Sequence, residues 1–218
     1  MLVDNMSHSE IRKELIDDFF ESIISKKNGL DKKYKHFTLK NKEKDKETIA
    51  GLHYYFTKRR NNWLVIVYVQ DKSLTYGYIC VRPTSYGEIC YVISCNELLE
   101  KDYLPSKMVI HEYTPHFFDR YKERINIDFQ RKSYEHYFMY NNYGEIYENE
   151  QKGGSNSFVK TAHGYSLGYS SLNEKYYKYN TFITASMLGK NQCKEYSDSE
   201  IEYVVIRDFM EIHNKRNP

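Results

Sequence analysis

The sequence predicts an α+β fold: antiparallel sheet with packed helices, preceded by an N-terminal helical extension. Three observations carry that expectation. The run WLVIVYVQ at residues 63–70 is continuously apolar and β-branched, as in a strand covered on both faces in the middle of a sheet. LTYGYICV at 74–81 and EICYVIS at 88–94 follow after short turns and make a meander with it. Helical periodicity instead marks residues 9–27, 115–125 and 199–214.

In chain order, residues 9–27 place Ile11, Leu15, Phe19 and Ile23 on an i,i+4 row with Ile16 and Phe20 beside it, and Asn28-Gly29 supplies a stop. The charged stretch 30–46 reads as a mobile or loosely packed connector. Residues 1–46 are therefore expected to be an attachment or assembly element, able to bind a protein partner or a second copy. Residues 47–218 form a single α+β domain, with a sub-boundary near 105 left open. A helix over 47–60 turns Leu52, Tyr55 and Phe56 inward and carries His53. After the meander, 108–111 is a fourth strand leading into helix 115–125, and 128–141 is a second helical stretch with Tyr134, Tyr137 and Phe138. The segment GEIYENEQKGGSNS at 144–157 has turn and charge chemistry, with Gly153-Gly154 as its flexible point. Strands follow at 158–162, 165–171 and 177–184, His163-Gly164 forming a tight connection between the first two. A short helix near 185–188 and an amphipathic helix over 199–214 complete the order.

Composition narrows the function classes. With 32 basic and 30 acidic residues the net charge is only +2, so an anionic partner has to be held by a local patch. The 23 tyrosines either form an aromatic surface that stacks on bases or binds protein, or reflect A/T-rich codons. Cys80, Cys90, Cys95 and Cys193 show neither a CxxC pair nor zinc-ribbon spacing, and all four read as reduced thiols. No signal peptide or run of 18 apolar residues is present in this sequence, so the expected location is cytoplasmic, without membrane spanning. P-loop and GxGxxG motifs are missing too, and no GxSxG nucleophile elbow at a strand-to-helix turn is read. His111 and His116 are five apart with Pro115 between them, which does not meet the HExxH requirement of two histidines four apart on one helix. No cofactor or metal is implied.

The richest chemistry lies in IHEYTPHFFDRYKER at 110–124. Thr114 suits the N-cap and Pro115 the first helical position. At about 100° per residue, His116, Asp119, Arg120 and Glu123 share one face with Arg124 at its margin, opposite Phe117, Phe118 and Tyr121. One imidazole and two guanidiniums on a helix face match the needs of metal-independent cleavage of RNA through its own 2′-OH. That reaction takes a base, cations for the phosphate and an acid for the leaving oxygen. His116 is the expected base and Arg120 with Arg124 the phosphate clamp, while Thr161, Tyr165, Tyr179 or Thr181 orients the phosphate or supplies the acid.

HFFDRYKER, a second helix, and strands containing GYSLGYSS and YNTFIT follow one another over residues 108–192. That order resembles small bacterial or phage RNase toxins of the barnase, EndoU, colicin and RelE type. The resemblance implies a catalytic role for His116 with Arg120, Arg124 and Thr181 around the scissile phosphate. The alternative is a non-enzymatic phage or mobile-element accessory protein that binds nucleic acid or a protein through a tyrosine-rich surface.

Overall fold

The computed structural model describes residues 1–40, 48–70, 72–95, 105–126, 130–141, 145–151 and 154–187. The helix expected at 199–214 and residues 41–46 of the expected connector lie outside this set. The fold is α+β. The chain forms two compact units: Met1–Pro115 with Asn173–Tyr177, and His116–Leu172 with Lys178–Pro218.

The first unit begins with α1 (His8–Asp18), opened by a capping box in which Ser7 Oγ accepts from Glu10 N–H and Glu10 Oε2 accepts from Ser7 N–H. A π-helical turn (Phe19–Ile23) and a 3-10 turn (Ile24–Lys26) carry it into α2 (Lys27–Lys40). The expected stop at Asn28-Gly29 does not occur. Leu30 and Tyr34 prolong the apolar stripe and are buried, which outweighs the cost of about 1 kcal/mol for glycine within a helix. Four strands make a meander: β1 (Thr48–Phe56), β2 (Asn62–Gln70), β3 (Ser73–Thr84) and β4 (Gly87–Cys95). β5 (Met108–Tyr113) pairs antiparallel with β4, and Ile110 N–H donates to Lys175 O at 3.0 Å on its other side.

Two further expectations fail in this unit. Residues 48–56 form a strand and not a helix, because their β-favouring residues pair from Phe56↔Asn62 to Thr48↔Val69 along β2, which is buried from Trp63 to Val69. His53 is thus a strand residue whose Nε2 meets Tyr34 Oη at 2.8 Å. Gly51 leaves room for that tyrosine, since a Cβ there would lie 2.1 Å from Tyr34 Oη. The second failure concerns the N-terminal helix as an appendage. Ile11, Leu15, Ile16, Phe19 and Ile23 are buried together with Trp63, Val65, Val67, Tyr78, Cys80, Tyr91 and Ile110, so α1 is part of the core of the first unit.

The junction between helix and sheet is polar. Asp18 is fully buried, and its Oδ2 accepts hydrogen bonds from Thr57 Oγ1, Asn61 Nδ2 and Trp63 Nε1, each at 2.8 Å. Thr57 and Asn61 close the β1–β2 turn through Thr57 N–H to Asn61 O at 3.0 Å, with Arg60 at φ +60° between them. Cys80 and Cys90 lie on the neighbouring strands β3 and β4, both buried and unbridged. No helix among the described residues is long and apolar enough to cross a membrane.

In the second unit α3 (Pro115–Ile125, of which Pro115 belongs to the first unit) and α4 (Ser133–Tyr140) pack through aromatic edges. Phe117 and Tyr121 stand 5.0 and 5.1 Å from the Tyr137 ring. Asn126, at φ +51°, follows the end of α3 as a left-handed residue commonly does. The remaining strands are β6 (Glu145–Gln151), β7 (Gly154–Thr161), β8 (Gly164–Ser171) and β9 (Tyr176–Ile183), and in this unit the spatial order is β9-β8-β7-β6. The stretch read as turn and charge at 144–157 is therefore mostly a hairpin, paired from Glu145↔Lys160 to Gln151↔Gly154. Its polar composition hid a strand that, among the described residues, meets a partner on one edge only.

Two predictions concern stability. Asp18→Ala strands three buried donors at once, and we expect a loss of about 3 to 5 kcal/mol in urea denaturation. Asp18→Asn retains one acceptor oxygen and should cost less; an alanine variant within about 1 kcal/mol of wild type would refute the role given to this carboxylate. The second concerns His111, which is buried on β5 with Nε2 at 2.7 Å from Ser94 Oγ and its ring stacked on Tyr177. Burial pushes its pKa from 6.5 down to about 4. The folded-state value is the lower one, so the unfolded chain takes up the proton first as pH falls. This contribution to stability is complete above pH 6.5 and is lost on descending to about 4, a change of roughly 3 kcal/mol. Denaturation curves between pH 7.5 and 4 should show a shallower decline for His111→Leu than for wild type.

Candidate acid and base site

α3 begins where the sequence places it, and its two sides separate as expected. Phe117, Phe118 and Tyr121 are buried, while His116, Asp119 and Glu123 are exposed. Two of the four residues expected to act together do meet: Arg124 Nη1 donates to Phe182 O and reaches Thr181 Oγ1 at 3.4 Å. Arg124 is half-buried, and burial followed by the charge of Arg120 holds its pKa below the ordinary value. Arg120 itself donates to Glu123 Oε2 at 2.7 Å. His116 stands at the exposed start of the helix and makes no hydrogen bond among the described residues. It lacks the orienting partner that a positioned base needs.

The inner side of the same helix carries a different constellation. The Tyr121 hydroxyl lies 2.9 Å from Nδ1 of His136 and 2.9 Å from Nδ1 of His163. His136 comes from α4 and His163 from the β7–β8 connection, where Thr161 pairs with Gly164. The two imidazoles are nearly parallel, 24° apart, with centroids separated by 6.0 Å. Asn141, the C-cap of α4, joins them: its Nδ2 is 3.2 Å from His163 Nδ1 and 3.4 Å from Tyr121 Oη. Gly164 makes the arrangement sterically feasible. At φ +153° it lies against the end of β9, and a Cβ there would come within 2.1 Å of Ile183 O.

Both histidines are half-buried, and burial lowers their pKa values from the ordinary 6.5; for His136 the neighbouring His163 adds to the effect. Burial raises the Tyr121 phenol, while the Asn141 hydrogen bond opposes that rise. At neutral pH the group therefore comprises two neutral imidazoles linked by one protonated hydroxyl, the protonation states from which a base and an acid work. Among the described residues no three His, Cys, Asp or Glu side chains assemble into a metal-holding group.

Sequence reasoning missed this cluster because it sought chemistry on the polar face of α3. The available signal was Tyr121 itself, since a tyrosine on the apolar face of a helix needs a partner for its hydroxyl. His163 in the expected tight turn and a histidine in the second helical stretch were the residues able to meet it. Comparison with known proteins finds no matching family model, no matching curated protein and no matching solved structure.

Proposed function

We propose that the second unit is a metal-independent endoribonuclease in which His136 and His163 act as base and acid and Arg124 holds the phosphate. The observation that carries this reading is the sharing of one tyrosine hydroxyl by two half-buried, neutral histidines. In-line attack of a 2′-OH on the adjacent phosphodiester requires a proton to leave one oxygen and another to reach the departing 5′-oxygen, which two imidazoles supply without a metal. Arg124 follows Tyr121 by one turn of α3. It grips Phe182 O through Nη1, and the ring of Phe182 stands 5.0 Å from that of Tyr121. With Nη1 anchored, Nε and Nη2 remain to meet a phosphate, and Thr181 Oγ1 beside them adds a hydroxyl.

The test is incubation of the purified full chain with mixed-sequence RNA in excess EDTA. Wild type should cleave and leave 2′,3′-cyclic phosphate ends. Either His136→Ala or His163→Ala should slow cleavage by about 10² to 10⁴. His116→Ala should stay within a few-fold of wild type. Absence of cleavage, a requirement for a divalent metal, or cleavage that survives both inner substitutions would overturn the proposal.

A further inference from the structure

The buried amide of Asn141 is oriented from both sides by the main chain. Its Oδ1 accepts from His163 N–H at 3.1 Å, and its Nδ2 donates to Tyr137 O at 2.9 Å. A flipped amide would set a donor against the N–H and an acceptor against the carbonyl, so the backbone decides which end is nitrogen. The second hydrogen on Nδ2 then points between His163 Nδ1 at 3.2 Å and Tyr121 Oη at 3.4 Å, and a proton on that ring atom would oppose it, so Nδ1 is bare. A neutral His163 consequently carries its proton on Nε2. Among the described residues no group hydrogen-bonds to that Nε2.

The assignment propagates through Tyr121. Its hydroxyl has one proton, and the two ring nitrogens lie equally close to it at 2.9 Å. With His163 Nδ1 bare, the hydroxyl donates there, and the contact with His136 is closed only if His136 Nδ1–H donates to Tyr121 Oη. His136 then carries a lone pair on Nε2. We infer that Asn141 is a positioning residue that holds the two histidines in opposite tautomers, making His136 the base and His163 the acid. The chemical roles rest on the ribonuclease reading above; the tautomers do not.

The resulting step balances. The 2′-oxygen bonds to phosphorus and the P–O5′ bond breaks. The 2′-OH proton passes to His136 Nε2, and the departing 5′-oxygen takes the proton of His163 Nε2. Meanwhile the Nδ1 proton of His136 moves to Tyr121 Oη as the hydroxyl proton moves to His163 Nδ1. Both rings end neutral with their tautomers exchanged, and no charge is left on the cluster. Water attack on the cyclic phosphate runs the same transfers backwards, giving a proton to His163 Nε2 and taking one from His136 Nε2 for the 2′-oxygen. In the exchanged state His163 Nδ1–H opposes the Asn141 N–H, which favours return to the resting pair.

The tautomers are read directly by nitrogen-15 NMR of histidine-labelled full chain at pH 7.5. We expect a bare Nδ1 and protonated Nε2 for His163, and the reverse for His136. Equal tautomers in the two rings, or the opposite pair, would overturn the inference whatever the activity. Asn141→Asp is the second variant: its carboxylate accepts from His163 Nδ1–H, so both tautomers should invert. With the fold verified from the amide spectrum, kcat on RNA should fall by about 10² to 10⁴ with KM little changed. An Asn141→Asp protein with inverted tautomers and unchanged kcat would remove the assigned direction. Predicted tautomers in a wild type that cleaves no RNA would instead leave the amide lock standing and remove the ribonuclease reading.

Discussion

Asp18 Oδ2 is the point on which the first unit turns. It accepts three hydrogen bonds at the end of α1, from a threonine and an asparagine in the β1–β2 turn and from the only tryptophan in the chain. An apolar contact would bury α1 equally well in many rotations, because hydrophobic association has little directional preference. Three donors converging on one oxygen admit far fewer arrangements. They set the rotation and height of the helix over β2, and with it the depth to which Leu15, Phe19 and Ile23 enter the core. Arg59 reinforces the junction from outside, bonding Glu14 at 2.9 Å and both carboxylate oxygens of Glu21 at 2.8 and 2.7 Å. These contacts add less than the buried set, since water reaches Arg59 and Glu21.

The sheet was legible wherever burial on both faces forced a continuous apolar run, as in β2, and wherever turns were short, as between β2 and β3 or β3 and β4. It was illegible where a strand lies at an edge. On β1, Leu52, Tyr55 and Phe56 satisfy helical spacing by coincidence, while the structure leaves Tyr54 and Phe56 exposed and turns Tyr55 and His53 toward the other face. The tyrosine excess also divides unevenly. Among the described residues Tyr34, Tyr68, Tyr78, Tyr91, Tyr113, Tyr121, Tyr134, Tyr137, Tyr165, Tyr176 and Tyr179 are buried, and Tyr54, Tyr86, Tyr140 and Tyr169 are exposed. Many of the buried rings take the place of aliphatic residues in a core, at the cost of finding each hydroxyl a partner. Tyr137 finds Ser166 at 2.6 Å, and Tyr176 finds the carboxylate of Glu112.

That same requirement explains why the candidate site was only half legible. Helix α3, its start at Pro115 and its two faces follow from local sequence. The histidine pair does not, because it is created by tertiary proximity: α4, a hairpin turn and α3 each contribute one group to a cluster spanning 42 positions between Tyr121 and His163. Periodicity sorts residues into faces, but it cannot reveal which hydroxyl on an inward face will become the hub of a polar network.

Residues 173–177 belong to the first unit although they follow most of the second in sequence. Lys175 supplies the carbonyl bonded by Ile110, and Tyr176 joins the buried cluster of α1 and the meander. During synthesis, the first unit therefore cannot be completed when its main body has emerged; it waits until the chain has run through α3, α4 and three further strands. Closing so long an interval is entropically slow and leaves the far edge of β5 unfinished in the meantime. Nascent chains halted shortly before residue 173 should be the species most in need of chaperone protection, and a gene cut at residue 115 encodes an incomplete first unit.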